Sequence, residues 1–143
     1  MRVSLEGQAA LRRSLEQIGD EAREGVSKAV LGTAVEIRKR AVRSIHRGPK
    51  TGTVYQKYNP RRVHQASAPG EAPATDTKRL ANSIFFDREG VLTATVGSRL
   101  VYAKYLEYGT RDIAQRPFMT PAAEAERVKL YKRVERAVAE ALS

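Results

Sequence analysis

The chain has 143 residues, no cysteine and a formal net charge of +10. That length fits one domain with a modest core, and the lack of cysteine excludes disulfides, thiolate metal sites and a cysteine nucleophile. No apolar run approaches the roughly 18 residues of a membrane span, and Met1 to Gln8 carries no apolar signal-peptide core, so a chain made in the cytoplasm without membrane insertion is expected.

Taken in order, Arg2 to Leu5 alternates polar and apolar residues and predicts a short strand. Leu11, Leu15 and Ile18 predict a short helix over Ala9–Ile18, ended by Gly19, which tolerates the left-handed conformation of a helix terminus. Asp20 then reads as the cap of a second helix: its carboxylate can accept from free first-turn amides, and Glu21 and Glu24 suit the positive end of the dipole. Ala22, Val26, Ala29, Val30, Thr33, Ile37, Ala41 and Ile45 mark one face at spacings of three and four. They predict a helix from about Glu21 to Ile45, about 40 Å long. Arg38, Lys39, Arg40 and Arg43 suit its negative end.

Arg47 to Thr75 contains Gly48-Pro49, Thr51-Gly52, Asn59-Pro60, Pro69-Gly70 and Pro73, all turn formers or breakers. It predicts a long basic loop, with a short hairpin around Tyr55 and Val63, that orders against a partner. Thr77 is the expected N-cap of a short helical turn carrying Leu80. Ser83–Phe86 and Val91–Val96 read as strands joined by a turn at Asp87-Arg88-Glu89-Gly90. Tyr102–Tyr108 reads as a short helix ended by Gly109. Thr120-Pro121 supplies a threonine cap and a first-turn proline for a last helix. Its stripe is Ala122, Ala125, Val128, Tyr131, Val134, Val138 and Leu142. The fold class is α+β: N-terminal and C-terminal helices packed on a small antiparallel sheet, with a long basic loop over 47–75, in one domain over 1–143.

The surplus charge is concentrated. No acidic residue stands between Glu36 and Glu71, while that stretch holds Arg38, Lys39, Arg40, Arg43, Arg47, Lys50, Lys57, Arg61 and Arg62. Such a segment attracts phosphate or an acidic protein surface; the plainer alternative is a solvated loop. Arg43, Arg47, Lys50, Lys57, Arg61 and Arg62 are the candidate assembly- or DNA-facing residues. Tyr55 and Tyr58 lie among them, where they can stack on bases or pack against a neighbour. No zinc finger, basic zipper or RNA-recognition motif is present, and the long helix has no central turn for a helix-turn-helix. Any DNA contact is therefore expected at phosphates, without base readout.

Neither catalytic nor metal chemistry is expected, and no cofactor. His46 and His64 sit in the basic stretch without carboxylates nearby in sequence, and no HExxH, EF-hand, Walker or GxSxG pattern occurs. Glu107 is a lone carboxylate between Tyr105 and Tyr108. Paired-carboxylate hydrolysis needs a second carboxylate at a defined distance, so a buried, hydrogen-bonded Glu107 holding a loop is the reading. An ion-pair cluster with Arg111 and Arg116 is a further expectation.

Three stretches occur in a telling order: His64-Gln65-Ala66-Ser67-Ala68-Pro69-Gly70-Glu71-Ala72-Pro73-Ala74; Thr77-Lys78-Arg79-Leu80-Ala81-Asn82-Ser83-Ile84; and Val101-Tyr102-Ala103-Lys104-Tyr105-Leu106-Glu107-Tyr108-Gly109-Thr110 followed by Arg116-Pro117-Phe118-Met119-Thr120-Pro121-Ala122. Together they resemble the tail-component family of long-tailed phages that supplies head–tail joining and tail-completion proteins, akin to the minor tail protein Z type. Lys78 departs from the pattern, which has glycine there, and Tyr108 replaces a phenylalanine. The resemblance implies a structural virion protein of the neck or upper tail, assembled as a homo-oligomeric ring, a hexamer, at the head–tail junction. Its partners would be neighbouring neck and tail-tube proteins, with no membrane, and a ring would place the basic loop either against packaged DNA, touched nonspecifically, or across to the next subunit. It also implies roles for motif residues. Tyr102, Tyr105, Glu107, Gly109 and Thr110 would fix the short helix and its turn. Arg116, Pro117 and Phe118 would anchor the last helix, with Leu80 and Ile84 in the core.

The main competing reading is a nonspecific nucleic-acid-binding protein acting through the basic loop, which a steep loss of DNA affinity with salt would reveal. A small regulator or toxin-like domain from a mobile element is a third.

Overall fold

The computed structural model describes residues 2–4, 19–75 and 78–143. The helix expected over Ala9–Ile18 and the Thr77 cap lie outside the described residues. The described elements are strand β1 (Arg2–Ser4), helix α1 (Asp20–Arg47), strands β2 (Val54–Tyr58) and β3 (Arg61–Gln65), helix α2 (Arg79–Ser83), strands β4 (Ile84–Gly90) and β5 (Thr93–Ser98), and helices α3 (Ala103–Tyr108) and α4 (Met119–Leu142). The fold is α+β. The described strands form two sheets, both antiparallel: a three-stranded one in the order β1-β5-β4, and a separate β2–β3 ribbon.

The long helix organises the core. All eight residues of the predicted face, from Ala22 to Ile45, are buried on α1, and they pack against α4 and against β4 and β5. The two helices run close: a Cβ added at Gly25 would stand 3.1 Å from the Ala137 Cβ. A larger side chain at residue 25 would push them apart. The start of α1 differs from expectation. Gly19, at φ 98°, is the N-cap, its carbonyl accepts the Arg23 amide at 3.3 Å, and Asp20 is already helical and makes no capping bond. Asp20 therefore acts only through its charge at the positive end of the dipole.

The β4–β5 turn also lies elsewhere than expected. Asp87, Arg88 and Glu89 belong to β4, Gly90 pairs with Thr93, and the chain reverses at Val91-Leu92 after an irregularity between Arg88 and Gly90. Extending β4 lets the Arg88 guanidinium reach Ser27 Oγ on α1 at 2.6 Å. Leu92 still reaches the core from the turn, alongside Ala94 and Val96, all buried.

The C-terminal helix turns inward only part of the predicted stripe: Ala122, Val134 and Val138 face the core, whereas Ala125 does not. Met119, Ala122 and Glu126 are buried, and Leu130, Val134, Ala137, Val138 and Ala141 pack partly buried against the core. Val128, Tyr131 and Leu142 are exposed. The rest of the inward face was hidden in the sequence because charged residues share it. Glu126 is held by Arg40 at 2.9 Å, Lys129 at 3.3 Å and Arg133 at 3.4 Å, and Arg133 also donates to Thr33 Oγ1 on α1 at 2.8 Å. Burial opposes ionisation of Glu126, but hydrogen bonds and charge from Arg40 and Lys129 outweigh it and hold the carboxyl below its ordinary range.

Candidate assembly surface and its supporting motif

The aromatic-rich segment builds a joint between α3 and α4. Helix α3 is short and ends at Gly109, whose φ of 74° lies in the left-handed region. A Cβ there would also meet the Ile113 carbonyl oxygen at 2.9 Å, so the tight loop admits only glycine. Thr110 closes that loop: its amide donates to the Ile113 carbonyl at 2.8 Å, and its Oγ1 accepts the Ile113 amide at 3.1 Å.

Glu107 is buried at 2% exposure. Its Oε2 accepts the amides of Phe118 at 2.8 Å and Met119 at 2.9 Å, and its Oε1 accepts the amide of Thr120 at 2.7 Å. These are the free donors of the first turn of α4, and a carboxylate there also meets the positive end of the dipole. The cap of α4 thus comes from α3, and the expected Thr120 cap is corrected: Thr120 lies inside the helix, and Phe118 is the N-cap residue without a capping side-chain bond. The expected cluster of Glu107 with Arg111 and Arg116 is corrected as well. Glu107 spends both oxygens on backbone amides, and Arg116 spends its guanidinium on the carbonyls of Ser67 (3.4 Å) and Ala114 (3.1 Å).

Arg116 also ties three segments together, because its own amide donates to the Leu106 carbonyl at 2.6 Å. The next residues complete the anchor: Pro117 is half-buried and Phe118 is 1% exposed in the core. Leu80 and Ile84 are buried beside it. Tyr102 and Tyr105 each keep 42% of their surface exposed and Tyr108 keeps 65%, so with Val101 they present an outward apolar patch.

Within 47–75 the chain is a ribbon on a clamped base. Val54 to Tyr58 pairs in full register with Arg61 to Gln65, around a cis Asn59-Pro60 bond. Below it, Glu71 receives the Thr51 amide and the Ala68 amide at 2.9 Å each and the Thr51 hydroxyl at 2.6 Å. These bonds, the hydroxyl's foremost, lower the Glu71 pKa. Gly70 donates to the Gln115 carbonyl at 2.9 Å, fastening the base to the loop after α3. The six basic candidates separate here. Lys50 turns inward, donating to the carbonyls of Ser44 (3.3 Å) and Ala72 (3.1 Å), and its burial lowers its pKa against the opposing pull of Glu71. Its expected place facing DNA or a neighbour is corrected accordingly. Arg43, Arg47 and Arg61 are exposed and make no ion pair among the described residues. Lys57 and Arg62 share one face of the ribbon, half-buried, with His64. The opposite face presents Val54, Tyr58 and Val63, exposed by 58%, 77% and 66%.

The family model that matches this chain is described as "Bacteriophage HK97-gp10, putative tail-component", and it covers residues 9–109. The chain belongs to this family. The HK97-gp10-like match takes in α1, the ribbon, the sheet from β4 and α3, and it ends at Gly109, so Arg116, Phe118 and all of α4 lie beyond it. No curated protein and no solved structure matches the chain. As a phage tail component the protein works within a virion, among other particle proteins. Among the described residues no His, Cys, Asp or Glu group could hold a metal ion, and no helix is long and apolar enough to cross a membrane.

Two residues of this tail component escaped sequence reasoning. Glu71 and Glu126 act through partners 20 and 86 residues away. Glu71 left one trace, as the acid that closes the basic stretch; Glu126 left only a charge in a helix rich in charges.

Proposed function

We propose that this tail component is a structural protein of the neck or upper tail that assembles as a six-membered ring and joins or completes the tail at the head–tail junction. The β2–β3 ribbon carries this reading. A two-stranded ribbon is marginally stable alone, and this one holds Val54, Tyr58 and Val63 out to solvent on one face. A neighbouring subunit or ring would cover them and complete the structure. The outward patch of Val101, Tyr102, Tyr105 and Tyr108 is a second apolar surface of the same kind, and a heterologous ring interface uses two different surfaces of each subunit. The reading assigns the chain no enzymatic role.

Deleting this reading frame alone and imaging the particles by electron microscopy tests the proposal. Filled heads with separate or abnormal tails are the expected result. Joined, infectious virions would overturn it.

A further inference from the structure

The two kinds of exposed surface on this molecule ask for different partners. The ribbon and the α3 patch expose large apolar side chains, which a protein partner can bury. The last turns of α1 expose none: no large hydrophobic between Arg38 and Arg47 is exposed. What they expose is charge. Lys39, Arg43, His46 and Arg47 are all outward, and with Arg38 and Val42 they line one open groove that contains no acidic side chain. Lys39, Arg43 and Arg47 follow one another at intervals of four residues, so they form a row with steps of about 6 Å. Arg43 and Arg47 make no ion pair among the described residues. Lys39 meets only Glu36, at 2.9 Å and mostly exposed, a pairing of small worth that a stronger anion displaces.

Protein interfaces centre on large apolar and aromatic side chains, with arginine set among them, and this row exposes cations with no exposed large apolar neighbour between Arg38 and Arg47. It suits a rigid line of phosphates. We propose that the row Lys39, Arg43 and Arg47 on α1 binds the phosphate backbone of duplex DNA, without reading its bases. The inference rests on the proposed station at the head–tail junction only for where DNA is met. The row sits on a helix whose opposite face is the core, so its side chains are presented at fixed spacing.

The test uses the purified full chain and a fluorescent random-sequence duplex, with binding followed by anisotropy at several salt concentrations. Three phosphate contacts predict a loss of about 40-fold in affinity between about 50 and about 200 mM NaCl. The triple variant Lys39→Gln, Arg43→Gln, Arg47→Gln should bind at least about tenfold more weakly at the lower salt, with a log–log slope shallower by about 2–3. Its thermal unfolding should match that of the unaltered chain, because these side chains are exposed. Equal affinity and equal slope would overturn the inference. So would a triple variant that binds DNA normally yet fails to support virion assembly, which would assign the row to an acidic protein surface. A chain that binds DNA through this row but whose deletion leaves joined virions would sink the junction reading and leave this one standing.

Discussion

Phe118 donates its amide to Glu107 Oε2 at 2.8 Å across eleven residues of sequence, and this bond makes the end of α3 the cap of α4. The order of dependence runs through Gly109: only its left-handed turn brings the loop back so that the first amides of α4 face the carboxylate.

Glu107→Ala leaves three first-turn amides without their acceptor, two of them in bonds that are fully buried. The expected loss is about 2–4 kcal/mol by chemical denaturation, since the acceptor is charged. Glu107→Gln keeps one acceptor oxygen and should lose about half as much. Equal stability of all three proteins would show that the cap contributes nothing.

Phe118→Ala removes the largest of the fully buried side chains. A loss of about 3–5 kcal/mol is expected, read as a shifted denaturation midpoint with an unchanged slope.

Lys78 has φ 61° and ψ 4° at the N-terminus of α2, a conformation that costs an L-residue about 1–2 kcal/mol. Lys78→Gly should stabilise by about 0.5–1 kcal/mol after the greater freedom of the unfolded glycine is counted. A lowered melting temperature would show that the lysine side chain has a compensating contact.

Glu126 predicts a pH dependence. Its folded pKa lies below the ordinary value of 4.5, so the ionised form contributes stability at higher pH, and that contribution is lost as pH falls through the lowered folded value. Glu126→Gln should therefore flatten the acid limb of the stability curve below about pH 5. Glu71 is shifted the same way, so part of the limb should persist. An unchanged acid limb would assign the effect elsewhere.

Tyr58→Ser with Val63→Ser, and separately Arg61→Glu with Arg62→Glu, alter the ribbon. The first pair is exposed and should change stability by no more than about 0.5 kcal/mol; the charge reversal should leave the fold intact. Both should impair virion assembly in a complementation assay. Normal infectious particles from either would remove the ribbon from the assembly contacts.

Much of the fold was legible where one element buries one apolar face. The α1 stripe was readable because its core side, Ser27 and Thr33 apart, is apolar from Ala22 to Ile45. The turn at Gly109 was readable because only glycine fits there. The α4 face was legible only at Ala122, Val134 and Val138, because Glu126 and Arg133 occupy the rest of the inward side, where they satisfy each other, Arg40 and Thr33, while Val128 and Tyr131 stand outside. Asp87-Arg88-Glu89-Gly90 has the composition of a turn, yet Arg88 bonds to Ser27 from an extended strand. Lys50 belonged to a basic run in sequence and points inward in space. In each case a contact between residues distant in the chain overrode the local preference.

The clamp beneath the ribbon fixes how the molecule bears mechanical load. A pull on the tip near Asn59 passes down two strands to Ser67 and Gly70. From there it crosses the Arg116 and Gln115 bonds into the loop that sets the start of α4. The base is fastened to the end of α1 as well, by Lys50 and its two carbonyls. The bonds at the ribbon's base thus lead to the ends of both long described helices, so a load on the arm is expected to reach both.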